Sequence, residues 1–103
     1  MLTNAAAMIQ LTECPEFERV FVTTENSDYE LIVLNGPSGE VLIRGGRIFP
    51  AFRRARLSGS SLRGSALMVN RIKVGLKMEL QAEGKYFVTS TVQALSTNDT
   101  LCN

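Results

Sequence analysis

There is no histidine in this chain of 103 residues, and no tryptophan. The first absence removes imidazole acid–base catalysis, histidine-dependent nucleophile triads and zinc sites of the cysteine–histidine type. The second leaves only five phenylalanines and two tyrosines, so broad platforms on which nucleobases could stack are not available. Cysteine is scarce too. Cys14 and Cys102 sit near opposite ends without C-x-x-C spacing. A disulfide between paired terminal segments would close a long loop and contribute about 4–5 kcal/mol. In a cytosolic chain two reduced thiols are expected instead. No stretch approaches the roughly 18 apolar residues of a membrane helix. Met1–Leu11 lacks a basic segment ahead of Ala5–Ala7, so no secretory signal is expected and the cytoplasm is the expected location.

A more local absence is the most informative. No acid occurs between Val41 and Met78, where nine bases stand: Arg44, Arg47, Arg53, Arg54, Arg56, Arg63, Arg71, Lys73 and Lys77. Residues 1–40 reverse the sign, with seven acids against Arg19 alone, and residues 79–103 hold Glu79, Glu83 and Asp99 against Lys85. The net charge of +1 conceals this segregation. On folding it either pairs internally or survives as a field that attracts an anionic partner.

Length and composition describe one ordinary domain, with 45% hydrophobic and 20% charged residues. Arg71–Leu80 alternates without exception: Ile72, Val74, Leu76, Met78 and Leu80 on one face, Arg71, Lys73, Gly75, Lys77 and Glu79 on the other. Period 2 predicts a half-buried strand with a bend or bulge at Gly75. Tyr29–Leu34 reads as a central strand, the turn residues Asn35–Gly39 follow, and Val41–Arg44 returns. Gly45-Gly46 permits a tight turn into Arg47–Phe49, which Pro50 ends or confines to an edge. Phe17–Thr24, Phe52–Leu57 and Tyr86–Leu95 complete six or seven short strands at regular spacing, with Glu83-Gly84 as a hairpin turn and Ser58–Ser65 as a loop. The fold class is therefore all-β: a single small barrel or sandwich of five to seven mainly antiparallel strands over residues 17–95. Residues 1–13 are expected as a short helix through Ala5–Leu11 or as a disordered or pairing arm, and 96–103 as a frayed tail. The expected core is Val22, Leu31, Val33, Val41, Ile43, Ile72, Val74, Leu76, Met78, Tyr86, Val88 and Val92.

Thr24-Glu25-Asn26-Ser27-Asp28-Tyr29 and Thr89-Ser90-Thr91-Val92 resemble a paired pattern of small uncharacterised bacterial all-β proteins, T-x-x-S-x-Y near the start and T-S-x-V near the end. The resemblance covers about ten residues. It implies that the two segments lie side by side and implies no activity.

Four constellations carry chemistry. Arg71, Lys73 and Lys77 would form a one-sided comb, since alternate strand residues stand roughly 6.6–6.8 Å apart. With Arg53, Arg54, Arg56 and Arg63 they make a candidate anion or nucleic-acid site, whose affinity would fall steeply with salt. Against it stand the missing aromatics and seven nearby acids able to form cross-strand ion pairs. Arg44 and Arg47 should oppose one another across the Gly45-Gly46 turn, each needing a carboxylate such as Glu30 or Glu40. Ser58–Ser65, with its glycines, hydroxyls and Arg63, could turn backbone N–H groups toward an anion. Finally, no acid sits where a cleft is legible, and without histidine a serine nucleophile would need a lysine as base. No enzymatic activity, cofactor, metal or membrane contact is expected. The expected function is a non-catalytic interaction module, binding a protein partner or a second copy through segregated acidic and basic surfaces. The alternative is a nucleic-acid-binding barrel using the basic strand face.

Overall fold

A computed structural model describes residues 4–62 and 66–98. The alternating segments become antiparallel strands and, among the described residues, there is no α-helix. In chain order they are β1 (Asn4–Ala6), β2 (Met8–Gln10), a 3₁₀ turn (Leu11–Glu13), β3 (Arg19–Thr24), β4 (Asp28–Asn35), β5 (Glu40–Gly45), β6 (Phe49–Ser61), β7 (Met68–Val69), β8 (Arg71–Lys73), β9 (Lys77–Ala82) and β10 (Lys85–Thr97). Strands β3, β4, β5, β6, β9 and β10 pair in succession, and β10 also pairs with β3, so the sheet closes on itself. Closure leaves little open edge, the hazard of any flat sheet. The long β10 makes it possible: Lys85–Thr91 runs along β9, and Val92–Thr97 along β3.

The interior is filled by rows of opposed side chains, as in any barrel too narrow to hold a channel. Val20, Leu31 and Ile43 form one row, Val33, Val41 and Ala55 a second, and Leu57 and Leu80 a third, all buried. One end is closed by a separate ribbon in which β2 pairs with β8, placing Ile9 and Ile72 opposite each other and out of water. Asn70 locks this end. Its backbone is left-handed (φ 64°), a conformation asparagine tolerates better than most residues. Its amide nitrogen donates to the Gly36 carbonyl at 2.8 Å, and its side-chain oxygen accepts the Thr12 N–H at 2.7 Å. Its own N–H reaches Ser58 and its carbonyl accepts from Leu11. Gly36 must be glycine here, because a Cβ would overlap the Leu11 carbonyl.

Several expectations need correction. Arg71–Leu80 is two strands in two sheets, not one: Val74-Gly75-Leu76 forms a turn with Gly75 at φ 93° between β8 and β9. The alternation survives because the turn preserves phase, so Ile72, Met78 and Leu80 are all buried while Val74 and Leu76 are only half-buried. Tyr86 and Val88 face solvent, at 51% and 53% exposure, and Phe87 and Thr89 point inward in their place. The cause is two register shifts in β10, between Val88 and Thr91 and between Val92 and Ala94, which exchange its faces. Of the readings of residues 1–13, the pairing arm and not the helix describes 4–10, where β1 pairs with β10 and β2 with β8, while Ser96 and Thr97 belong to β10 and not to a frayed end. Phe49–Ser61 is one continuous strand that absorbs Pro50 and half of the expected Ser58–Ser65 loop. Pro50 is accommodated where β6 slips past β5, between the Gly45–Phe49 and Ile43–Arg53 pairs.

Candidate interaction surface

The acids of the first forty residues lie beside many of the bases. On the outer face of β3, β4 and β5, Glu30 stands opposite Phe21 and Arg44. Its carboxylate accepts from Arg19 on one side and from Arg44, at 2.6 Å, on the other. Arg44 also lies over the Phe52 ring, 4.3 Å from its centre, adding a cation–π contact. The expected opposition of Arg44 and Arg47 does not occur: Gly45 pairs with Phe49, and Arg47 sits in the turn. Arg53 shares the inward pleat with Ile43 and Ala55, then emerges toward the end remote from the β2–β8 ribbon to pair with Glu83. Arg54 approaches Glu40 at 3.9 Å, a loose contact at the edge of ion-pair range. Exposed pairs of this kind contribute about 0–1 kcal/mol each.

The expected basic comb is dispersed. Arg71 and Lys73 stand on the β2–β8 ribbon, Lys77 begins β9 in the barrel wall, and Arg54 and Arg56 lie on the outer face of β6. Arg63 is outside the described residues. The hydroxyls of the expected anion loop are spent inside the fold, with Ser60 donating to the Arg71 carbonyl at 2.7 Å and Ser61 to Glu79.

What the fold brings together instead is an open groove of about 700 Å³ between β6 and the β9–β10 hairpin. Glu40, Arg54, Arg56, Glu83, Lys85 and Tyr86 line it together with Ala55 and Ala82, whose own side chains are buried in the core. Glu40, Arg56, Gln81 and Tyr86 occupy one continuous cross-strand row. Among the described residues, Arg56 and Lys85 have no carboxylate within 4.0 Å. Beside the groove the Tyr86 hydroxyl donates to Glu79, a buried carboxylate on β9 that also accepts from Ser61. That hydrogen bond, followed by burial and the Glu79 charge, raises the Tyr86 pKa above its usual 10.0.

A second feature stands outside the barrel wall. Phe17 is 65% exposed with a left-handed backbone (φ 68°), and its N–H donates to Val33 on β4 at 2.6 Å. Glu13 and Glu16 are exposed beside it in sequence, with no base in ion-pair range among the described residues. Neither Phe17 nor the groove was legible from sequence spacing. Phe17 reads as the start of a strand, and Tyr86 as core. The only local hint is the compact run Pro15-Glu16-Phe17-Glu18, where an aromatic is fenced by acids after a proline.

The segments Thr24–Tyr29 and Thr89–Val92 are neighbours. The Asn26 N–H donates to the Ser90 hydroxyl at 3.1 Å, and the Glu25 N–H to the Thr91 carbonyl at 3.0 Å. Among the described residues, no helix is long and apolar enough to cross a membrane. Comparison with family models, curated proteins and solved structures gives no match to this chain.

Proposed function

We propose that this chain is a non-catalytic β-structured interaction module that engages a protein surface, a second copy of itself included, through separated acidic and basic regions. One observation carries the reading: among the charges of the described residues that have no ion pair, two groups of opposite sign each stand beside an exposed aromatic. Arg56 and Lys85 stand at the groove, while Glu13 and Glu16 flank Phe17. Arg19, Arg44, Arg53 and Arg54 are already committed to Glu30, Glu40 and Glu83. Each remaining site also offers an exposed aromatic, Tyr86 or Phe17, a residue class enriched at protein contacts.

The nucleic-acid reading loses its principal support with the comb. Arg71 and Lys73 stand in a different sheet from Arg54 and Arg56, and two of the six described bases assigned to that site already face carboxylates. The experiment is a titration of the protein against labelled single- and double-stranded oligonucleotides at low and moderate salt. The expected result is no binding at low salt. Binding that declines steeply with salt, and disappears with Arg54→Glu plus Arg56→Glu or with Arg71→Glu plus Lys73→Glu, would overturn the protein-interaction reading.

A further inference from the structure

At the end of the barrel remote from Asn70, polar side chains are left open. The β3–β4 turn, the β5–β6 turn and the bulge of β10 surround a mouth of about 860 Å³ there. Tyr29 stands in the last interior row, opposite Gly45, which in turn opposes Phe49. Its ring lies against Gly46, where a Cβ would come within 3.0 Å of the Tyr29 hydroxyl and 3.2 Å of Ser27 Oγ. Glycine at 46 therefore lets two hydroxyls converge on the β5–β6 turn. The third wall is tied to the first. A register shift between Val88 and Thr91 takes Ser90 out of the ladder, and the Asn26 N–H donates to its hydroxyl. Within the β3–β4 turn, Thr24 Oγ1 donates to the Ser27 carbonyl at 3.0 Å and accepts the Ser27 N–H at 3.1 Å. Walls fixed in this way lower the ordering cost of binding.

The side chains they carry are unspent. Among the described residues, none of Asn26, Ser27, Asp28, Tyr29 and Arg47 makes a side-chain hydrogen bond or an ion pair. For Tyr29 this is unusual, since a tyrosine packed against a core normally gives its hydroxyl a partner. The set is mixed in character: Asp28 only accepts, Arg47 only donates, and Asn26 and the hydroxyls do both. A ligand of either charge would be attracted by one of Asp28 and Arg47 and repelled by the other. A polyol meets no such conflict. Each of its hydroxyls both donates and accepts, and the forked ends of Asp28, Arg47 and Asn26 match pairs of adjacent hydroxyls. At the rim, Ile48 and Val88 are 49% and 53% exposed and supply apolar surface for the C–H face of a sugar ring. The volume suits a small ligand, and barrel mouths are a common place for one.

We infer that the open end of the barrel binds a neutral saccharide. Asp28 accepts from ring hydroxyls, Arg47 donates to them, the hydroxyls of Ser27 and Tyr29 complete the polar contacts, and Ile48 and Val88 cover an apolar face. This goes beyond the protein-interaction reading and shares no residue with it: Arg56, Lys85, Glu13, Glu16 and Phe17 all lie outside the mouth. Its failure leaves that reading in place.

Titration of the isotope-labelled full chain, followed by amide chemical shifts, tests it. The probes are glucose, galactose, mannose, N-acetylglucosamine, maltose, lactose and chitobiose, with acetate and inorganic phosphate as charged controls. The expected result is a saturable response to at least one sugar, confined to residues 26–29, 46–48 and 88–90. Asp28→Ala and Arg47→Ala should each weaken that binding about tenfold or more, the size of a hydrogen bond to a charged group. Tyr29→Phe, which removes only a neutral hydroxyl, should weaken it less. Asp28 and Arg47 are exposed, so thermal unfolding should stay unchanged in both alanine variants. No saturable response to any of the sugars would overturn the proposal, as would a response elsewhere on the barrel or one indifferent to both alanine substitutions. Saturation of the mouth by acetate or phosphate and by none of the sugars would overturn it in favour of a charged ligand.

Discussion

The closed end of the barrel and the outer face of β3–β6 use polar groups in opposite ways. At the closed end one buried side chain does the matching: Asn70 satisfies the 3₁₀ turn, the β4–β5 hairpin and β6 from a single position. On the outer face the matches are solvent-exposed and incomplete, with Glu30 shared by two arginines while Arg56 has none. Buried groups must be satisfied or the fold is penalised; exposed charges carry no such obligation. The difference teaches where to look for function, since exposed charges keep interactions still to be made while Asn70 has spent its own inside the fold.

The largest effect should come from emptying the closed end. Ile72→Ala deletes a fully buried side chain beneath the ribbon and should cost about 2–5 kcal/mol in urea unfolding. Ile32→Ala, half-buried on the outer face, should cost less than about 1 kcal/mol. Equal losses would erase the distinction between the two regions. Asn70→Ala follows, at about 2–4 kcal/mol, because it strands the Thr12 N–H and the Gly36 carbonyl. A loss under about 1 kcal/mol would show that water reaches this end and replaces the amide.

Smaller effects belong to the outer face. Glu30→Gln removes the acceptor of two exposed arginines, and stability should fall by no more than about 1 kcal/mol, less at high salt. Tyr86 offers a pH test. Its raised pKa means the neutral phenol is favoured in the folded state. That contribution is complete below the ordinary value of 10.0 and is lost as pH rises through the raised folded value. In a Tyr29→Phe background, tyrosinate absorbance should titrate above 10.0 and move down toward it on Glu79→Gln. An unmoved midpoint would show that the hydrogen bond to Glu79 does not set the shift.

How far the sequence could be read follows the same division. Strands β3, β4 and β5 were legible because alternation and turn residues agree locally, from Asp28 to the Asn35–Gly39 turn and back through Glu40. The all-β barrel class followed from that repetition. A bend at Gly75 was legible, but not that it parts two strands of different sheets, because the turn keeps Ile72 and Met78 in phase, and alternation reports phase without continuity. Tyr86 and Val88 failed for the reverse reason: Lys85-Tyr86-Phe87-Val88 carries large side chains on both phases, and bulges elsewhere in β10 decide between them. Charge segregation was plain in the sequence, but its outcome depended on which strands pair. Glu30 opposes Arg44 because β4 pairs with β5 in that register, and nothing near Arg56 or Lys85 in sequence marks them as left over.

The central claim is that charges left unpaired within one copy are paired between two. Mixing two variants tests it most directly: one copy with Glu16→Lys, the other with Arg56→Glu. Alone, each places like charges wherever the acidic region of one copy meets the basic region of another, and should sediment as a monomer. Mixed, each new charge meets its opposite while the unaltered Glu16 and Arg56 meet each other, so the two variants should associate, and less so at high salt. A mixture that sediments as the sum of its two monomeric components, beside a self-associating wild type, would contradict the account.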